Sequence, residues 1–161
     1  PVLLLNSGEV IDESLDVIDW ALNINDPEDW KRSNQSKKAS VLIETNDNEF
    51  KHHLDRYKYS KRYDNEDPIV HREKCLVFID ALEEQLKISK FLHDEKVSAL
   101  DISILPFIRQ FRIADMNWFD SLNKPKIQSW LMNFLESELF KGIMFKYEKW
   151  EESDEKVFFP N

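Results

Sequence analysis

Few residues in this chain combine the types and spacing that chemistry needs. The sole cysteine, Cys75, is followed by Ile79, Leu82 and Leu86 at i+4, i+7 and i+11. That is one apolar helix face, so a buried packing thiol is expected there rather than a nucleophile. His52 and His53 are adjacent; on a helix their rings point about 100° apart and chelate one metal poorly. No His, Cys or carboxylate set shows zinc-like spacing, and no metal is expected. Ser98 and Asp101 suggest a nucleophile and a partner, but serine three residues ahead of an acid is a helix-capping pattern, and no catalytic residue is assigned. Arg109 and Arg112 belong to a mostly apolar stretch. Buried arginines must be paired, so ion pairs are expected for both. Tyr57, Tyr59 and Trp118 either line a hydrophobic pocket or pack in the core.

One further constellation is Asp12-Glu13-Ser14, at the start of a predicted helix. Free amides and the positive end of the helix dipole favour a ligand carboxylate there, and the Ser14 hydroxyl adds a donor. Glu13 could meet a ligand ammonium. Equally, Asp12 or Ser14 could simply cap the helix.

Composition narrows the field further. Gly8 and Gly142 are the only two glycines, which excludes a P-loop and a dinucleotide fingerprint. A net charge of −9 and a pI near 5.0 argue against a nucleic-acid partner. Lys51, Arg56, Lys58, Lys61 and Arg62 cluster in FKHHLDRYKYSKRY, but acids bracket them and they read as a solvated face. A single cysteine permits no intrachain disulfide and fits a reducing cytoplasm. No secretory pattern and no apolar run of about 18 residues is read, so no membrane partner is expected. The 161 residues, 42% hydrophobic, support one domain or one domain plus part of another.

These candidates must be held by particular elements. Residues 2–5 and 9–11 read as strands joined by the turn Asn6-Ser7-Gly8. Val2–Leu5 is continuously apolar, which predicts a strand buried on both faces. A helix follows from Asp12 or Glu13, with Leu15, Ile18, Ala21 and Leu22 on its apolar side. Residues 23–30 break the chain and 31–38 read as a polar loop. Helices are predicted over 39–46 and 48–57, from Pro68, from Ser98 with Pro106 kinking it, and from about Pro125. Val97 is placed to staple onto Ile102. The mixed tail from Phe145 is predicted to lie over the surface, pinned by aromatics. Strands first and helices afterwards give an α+β end joined to an all-α bundle.

The opening strand from Pro1, the hairpin and the Glu13-Ser14 helix start resemble the second half of the thioredoxin-like domain of glutathione S-transferases. SALDISILPFIRQF is similar to the capping-box helix of that family's C-terminal domain. DRYKY and GIMFKYEKW…VFFP resemble a bacterial branch. The resemblance spans essentially the whole chain. It implies a mainly α protein: residues 1–25 as a remnant of the glutathione-binding domain, with its β-hairpin and helix, and 26–161 as the all-α C-terminal domain.

The resemblance also implies a substrate site. Pro1 matches the family's cis-proline, beside glutathione's cysteinyl backbone. Glu13 and Ser14 match the positions that hold its γ-glutamyl end, and Tyr57 is the helical-domain residue expected to face substrate. The family's leading strand-helix-strand unit, whose first helix carries the thiol-activating Ser, Cys or Tyr (often in a CPYA-like segment), is not in this sequence. With no initiator Met, the start is expected to be processed, cleaved or engineered. The implied activity of the intact protein is conjugation of glutathione to a small electrophile, or glutathione-dependent thiol redox chemistry, in a cytoplasmic homodimer. The chain by itself is expected to be inactive. A non-catalytic helical binding or scaffold module is the alternative.

Overall fold

The computed structural model describes residues 1–144, 146–149, 151, 155 and 156. It begins with a two-strand antiparallel hairpin, β1 (Leu3–Leu4) and β2 (Val10–Ile11), in the register Leu3↔Ile11 and Leu4↔Val10. The turn closes through Gly8 N–H to the Leu5 carbonyl at 2.9 Å. Gly8 has φ 89°, a backbone that only glycine adopts without strain. The expected burial of the first strand on both faces does not hold. Val2 is 77% exposed and Leu4 68%, while Leu3, Leu5 and Ile11 are half-buried. The hairpin has one covered face and one open face, and the unbroken apolar run concealed this period-two alternation.

Helix α1 (Ser14–Ile24) follows. The stretch expected to be a loop instead forms a 3-10 helix, Trp30–Gln35, leading into α2 (Lys37–Thr45). Its polar residues are anchors rather than linker. Asp26 accepts the amides of Trp30 and Lys31 at 2.7 and 2.9 Å. Arg32 grips both carboxylate oxygens of Asp94 at 2.8 Å. The buried Ser33 hydroxyl accepts the Leu100 amide at 3.3 Å. A π turn over Asn46–Phe50 joins α2 to α3 (Lys51–Lys58), so the two predicted helices form one interrupted rod. Pro68 then opens α4 (Pro68–Ile88), with the Asp67 side chain capping it at the Ile69 amide. Helix α5 (Ala99–Ala114) runs unbroken past Pro106. The remaining helices are α6 (Met116–Ser121), α7 (Pro125–Leu135) and α8 (Glu138–Ile143); the sequence marked only α7. Most of the tail from Phe145, including Trp150, Phe158 and Phe159, lies outside the described residues, and so does its predicted aromatic anchoring.

One core holds the helices together. Cys75, Ile79, Leu82 and Leu86 are all buried, with Phe50, Leu92, Ile104, Phe111, Ile127 and Leu131 among their neighbours in that core. Helix α4 packs on α3 and α7, and α5 packs on α3, α6 and α7. Each fully buried Leu, Ile or Phe contributes about 1.5–3 kcal/mol.

Two buried carboxylates fix how α4, α5 and α7 meet. Asp101, fully buried, accepts four hydrogen bonds: the Ser98 amide at 3.0 Å and hydroxyl at 2.9 Å, the Leu92 amide at 2.9 Å, and the Trp130 indole at 3.0 Å. Capping of α5 by Ser98 and Asp101 thus also ties in the preceding loop and α7. Glu83 on α4 is 2% exposed and accepts the Ile127 amide at 2.8 Å and the Lys126 amide at 3.3 Å. It caps α7 from another helix, a role invisible in local sequence.

Candidate functional site

The start of α1 sits where the hairpin delivers it. The last paired residues of the ladder are Leu3 and Ile11, two positions from Pro1 and from Glu13 respectively. Pro1 and Glu13 are exposed and Ser14 is half-buried. Glu13 is the N-cap residue, in extended backbone (φ −103°, ψ 142°), and its side chain makes no capping hydrogen bond. Neither Asp12 nor Ser14 takes the capping role that the sequence offered them. The first turn of a helix leaves its leading amides without intrahelical partners, and no side chain serves as cap here. Asp16 is the acidic residue of that turn. A mouth of this kind suits an anion, with the Ser14 hydroxyl at its first helical position.

Behind this mouth, a cavity of about 290 Å³ separates α1 from the helical body. Leu15, Ile18, Ala39 and Ile43 line its apolar side, and Asp16 and Asp19 line its acidic side. A larger groove of about 500 Å³ runs between α5, α7 and α8. Trp30, Leu105, Phe134 and Phe140 are among its walls, and its polar groups are Lys58, Arg109 and Gln110. Lys58 and Gln110 also line a smaller neighbouring cavity with Tyr59 and Phe107.

Tyr57 lines none of these. It packs its ring 5.6 Å from Phe111 and 6.5 Å from Trp118, and burial pushes its hydroxyl pKa upward. Trp118 is covered by Arg72, 4.1 Å from its ring. Glu13 and Ser14 thus stand at the start of α1, just after the hairpin, while Tyr57 belongs to the aromatic layer of the helical body.

The other sequence candidates resolve into structure. Cys75 is sealed in the core and burial pushes its thiol up to about 12. Arg112 forms the expected ion pair, with two 2.7 Å bonds to Asp120. Arg109 does not: among the described residues it lies over the Phe140 ring at 5.6 Å, with no carboxylate partner. It is only half-buried, so solvent relieves the need for one.

The His53 ring meets that of His52 edge-on, with centroids 4.9 Å apart. Its Nδ1 lies 2.8 Å from Nδ1 of His71, whose Nε2 is 2.8 Å from Glu66. Among the described residues, no group of three or more His, Cys, Asp or Glu side chains is arranged to hold a metal. Nor is any helix among them long and apolar enough to cross a membrane. The shared groove of Trp30, Lys58 and Arg109 escaped sequence reasoning, because the 3-10 helix, α3 and α5 bring them together only in three dimensions.

No protein-family model matches the sequence, and no curated protein matches it. Solved structures do. A Gtt2-class glutathione S-transferase of Vibrio parahaemolyticus superposes with a TM-score of 0.71 at 18% identity, covering 88% of this chain and 70% of its own. Gtt2 of Saccharomyces cerevisiae gives 0.68 at 16% identity, covering 89% and 74%. A glutathione transferase of Phanerochaete chrysosporium, solved with oxidised glutathione, gives 0.70 at 17% identity, covering 84% and 66%. Over most of its length, then, the chain has the glutathione S-transferase fold: a hairpin and helix from the thioredoxin-like part, followed by the all-helical domain.

Proposed function

We propose that the chain is part of a glutathione S-transferase-like protein, with residues 1–25 contributing to a glutathione cradle and 26–161 forming the helical domain that receives the second substrate. The observation that carries this reading is the uncapped start of α1, with Ser14 at its first helical position directly after the hairpin, in a chain of the transferase fold. The γ-glutamyl carboxylate of glutathione would meet the free amides and the Ser14 hydroxyl, and its ammonium would meet Glu13. The acceptor would lie in the groove beside Lys58 and Arg109.

The reaction of the intact protein is attack of the glutathione thiolate on an electrophilic carbon. A C–S bond forms, the leaving group departs with its bonding electrons, and the thiol proton passes to solvent or a base. The protein's part is to orient the tripeptide and favour its thiolate. The 161 residues by themselves are expected to bind without conjugating, because no thiol-activating Ser, Cys or Tyr is assigned among them and Cys75 is sealed in the core. A cytoplasmic homodimer completes the reading; sedimentation of the chain as a monomer at all concentrations would remove the dimer.

Titration with glutathione, followed by amide shifts, tests the cradle. Shifts are expected at Ser14, Leu15 and Asp16, and Ser14→Ala should weaken binding about tenfold, the loss of one hydrogen bond to a charged group. Binding unaffected by Ser14→Ala removes Ser14 from the site. Absence of binding favours the alternative, a non-catalytic helical module, which the large groove on the helical body supports.

A further inference from the structure

Three of the chain's four histidines stand together. His53 on α3 and His71 on α4 are half-buried, and their Nδ1 atoms lie 2.8 Å apart. His52 flanks both, its ring centroid 4.9 Å from that of His53 and 6.3 Å from that of His71. Glu66, in the segment joining the two helices, lies 2.8 Å from Nε2 of His71 and 3.0 Å from Nε of Arg56. The proposed cradle and acceptor groove make no use of this cluster.

The partners fix where the protons sit. A carboxylate only accepts, so neutral His71 carries its hydrogen on Nε2, toward Glu66, and leaves Nδ1 bare. That bare nitrogen needs a donor, so neutral His53 carries its hydrogen on Nδ1. One added proton is accommodated. It enters at Nε2 of His53, and the bond between the two Nδ1 atoms survives with its hydrogen on either ring. A second proton must go onto the last bare Nδ1. Both Nδ1 atoms then carry hydrogen, the bond is lost, and two like charges face each other, so the pair titrates as one unit in two steps. His52 offers no alternative acceptor, because its Nδ1 already faces Nη1 of Arg56 at 3.2 Å. Burial foremost, then His52, His71 and Lys74, disfavour charge on His53, with Glu49 opposing; Glu66 is shared with Arg56.

We infer that His53 and His71 form a proton-operated clasp between α3 and the start of α4, closed with no added proton or one and opened when both rings are charged, which releases residues 64–71. The rest of the surroundings bounds that segment. Tyr63 stays tied to α3 through its hydroxyl on Asp55, and Cys75 and Ile79 anchor the following turns of α4 in the core. Between them, the amides of Ile69, Val70 and His71 are bonded to Asp67 within the first turn. The fold prefers neutral His53, so the clasp is closed above about pH 6.5 and opens as pH falls. It stands independently of the glutathione reading.

Amide exchange of the intact chain, corrected for the intrinsic effect of pH, tests the clasp at about pH 7.5 and about pH 5. Protection at Ile69, Val70 and His71 should fall about tenfold or more on acidification, the loss of one hydrogen bond to a charged group, while Ile79–Leu86 stay protected. His53→Gln and His71→Gln each leave one titrating ring in the pair, so each should remove that fall; His93→Gln, outside the cluster, should retain it. Melting near neutral pH shows which variants fold. Imidazole nitrogen NMR of the unaltered chain gives a second readout: near neutral pH, His53 should carry its hydrogen on Nδ1 and His71 on Nε2. Equal protection of the first turn of α4 at both pH values, a fall that persists in the glutamine variants, or a neutral His53 with its hydrogen on Nε2 overturns the inference.

Discussion

The hairpin end and the helical body are built on opposite terms. No residue between 1 and 25 is fully buried, and Val2, Leu4 and Val10 face outward. Between 39 and 134, a single core takes in Phe50, Ile79, Leu82, Phe111 and Leu131, and two buried carboxylates bind its helices together. A two-strand ladder is marginal by itself, and regions with few buried contacts open most readily. The contrast teaches that fold stability sits in the body, while the proposed tripeptide cradle sits on a lightly held rim. Binding there can order the rim without disturbing the core.

Substitutions in the body should have the largest effects. Asp101→Ala strands the Leu92 and Ser98 amides and the Trp130 indole without their acceptor. A loss of about 3 kcal/mol or more is expected in urea unfolding. Leu82→Ala, in the centre of the stripe, should cost about 2–5 kcal/mol. Glu83→Gln keeps an acceptor but removes the charge at the start of α7, with an expected loss of about 1–2 kcal/mol.

The pH dependence sharpens the same contrast, because Asp94 and His53, both on the body, act in one direction, with the carboxyl of Asp101, raised by burial, opposing them in acid. Hydrogen bonds from Arg32 hold Asp94 well below the usual carboxylate range. Its contribution is complete above the unfolded value of about 3.9 and is lost as pH falls. Burial, with His52, His71 and Lys74 adding to it and Glu49 opposing, lowers the pKa of His53. The fold therefore favours neutral His53, and that stability, present above about pH 6.5, also declines on acidification. Melting temperature should fall from mildly acidic pH downward, and His53→Gln should flatten the upper part of that fall. The smallest effects belong to the rim: Leu4→Ser should change stability by no more than about 0.5 kcal/mol. A loss matching that of Leu82→Ala would abolish the distinction between the regions.

Much of the body was legible in the sequence because its signals are local and redundant. The Cys75 stripe, Asp67-Pro68 and Ser98-Asp101 each declare a helix face or a helix start, and tertiary structure agrees with them. The polar stretch 31–38 misled because Arg32 and Ser33 are bound by Asp94 and Leu100, partners more than sixty positions away. Glu83 was hidden for the same reason, its α7 partners lying far along the chain. Val2–Leu5 misled because four apolar residues in a row do not reveal which face is covered. At the candidate site, Pro1, Glu13 and Ser14 were all proposed through resemblance. The groove was not legible, since Trp30, Lys58, Arg109 and Phe140 come from four separated segments.

Amide hydrogen exchange of the intact chain, with and without saturating glutathione, addresses the division between rim and body most directly. Amides of residues 10–24 should exchange quickly in the free chain and slow when glutathione binds, while those of Ile79–Leu86 and Ile104–Phe111 stay slow in both conditions. Equal protection of the two regions in the free chain, or slowing confined to the helical body, would contradict the account.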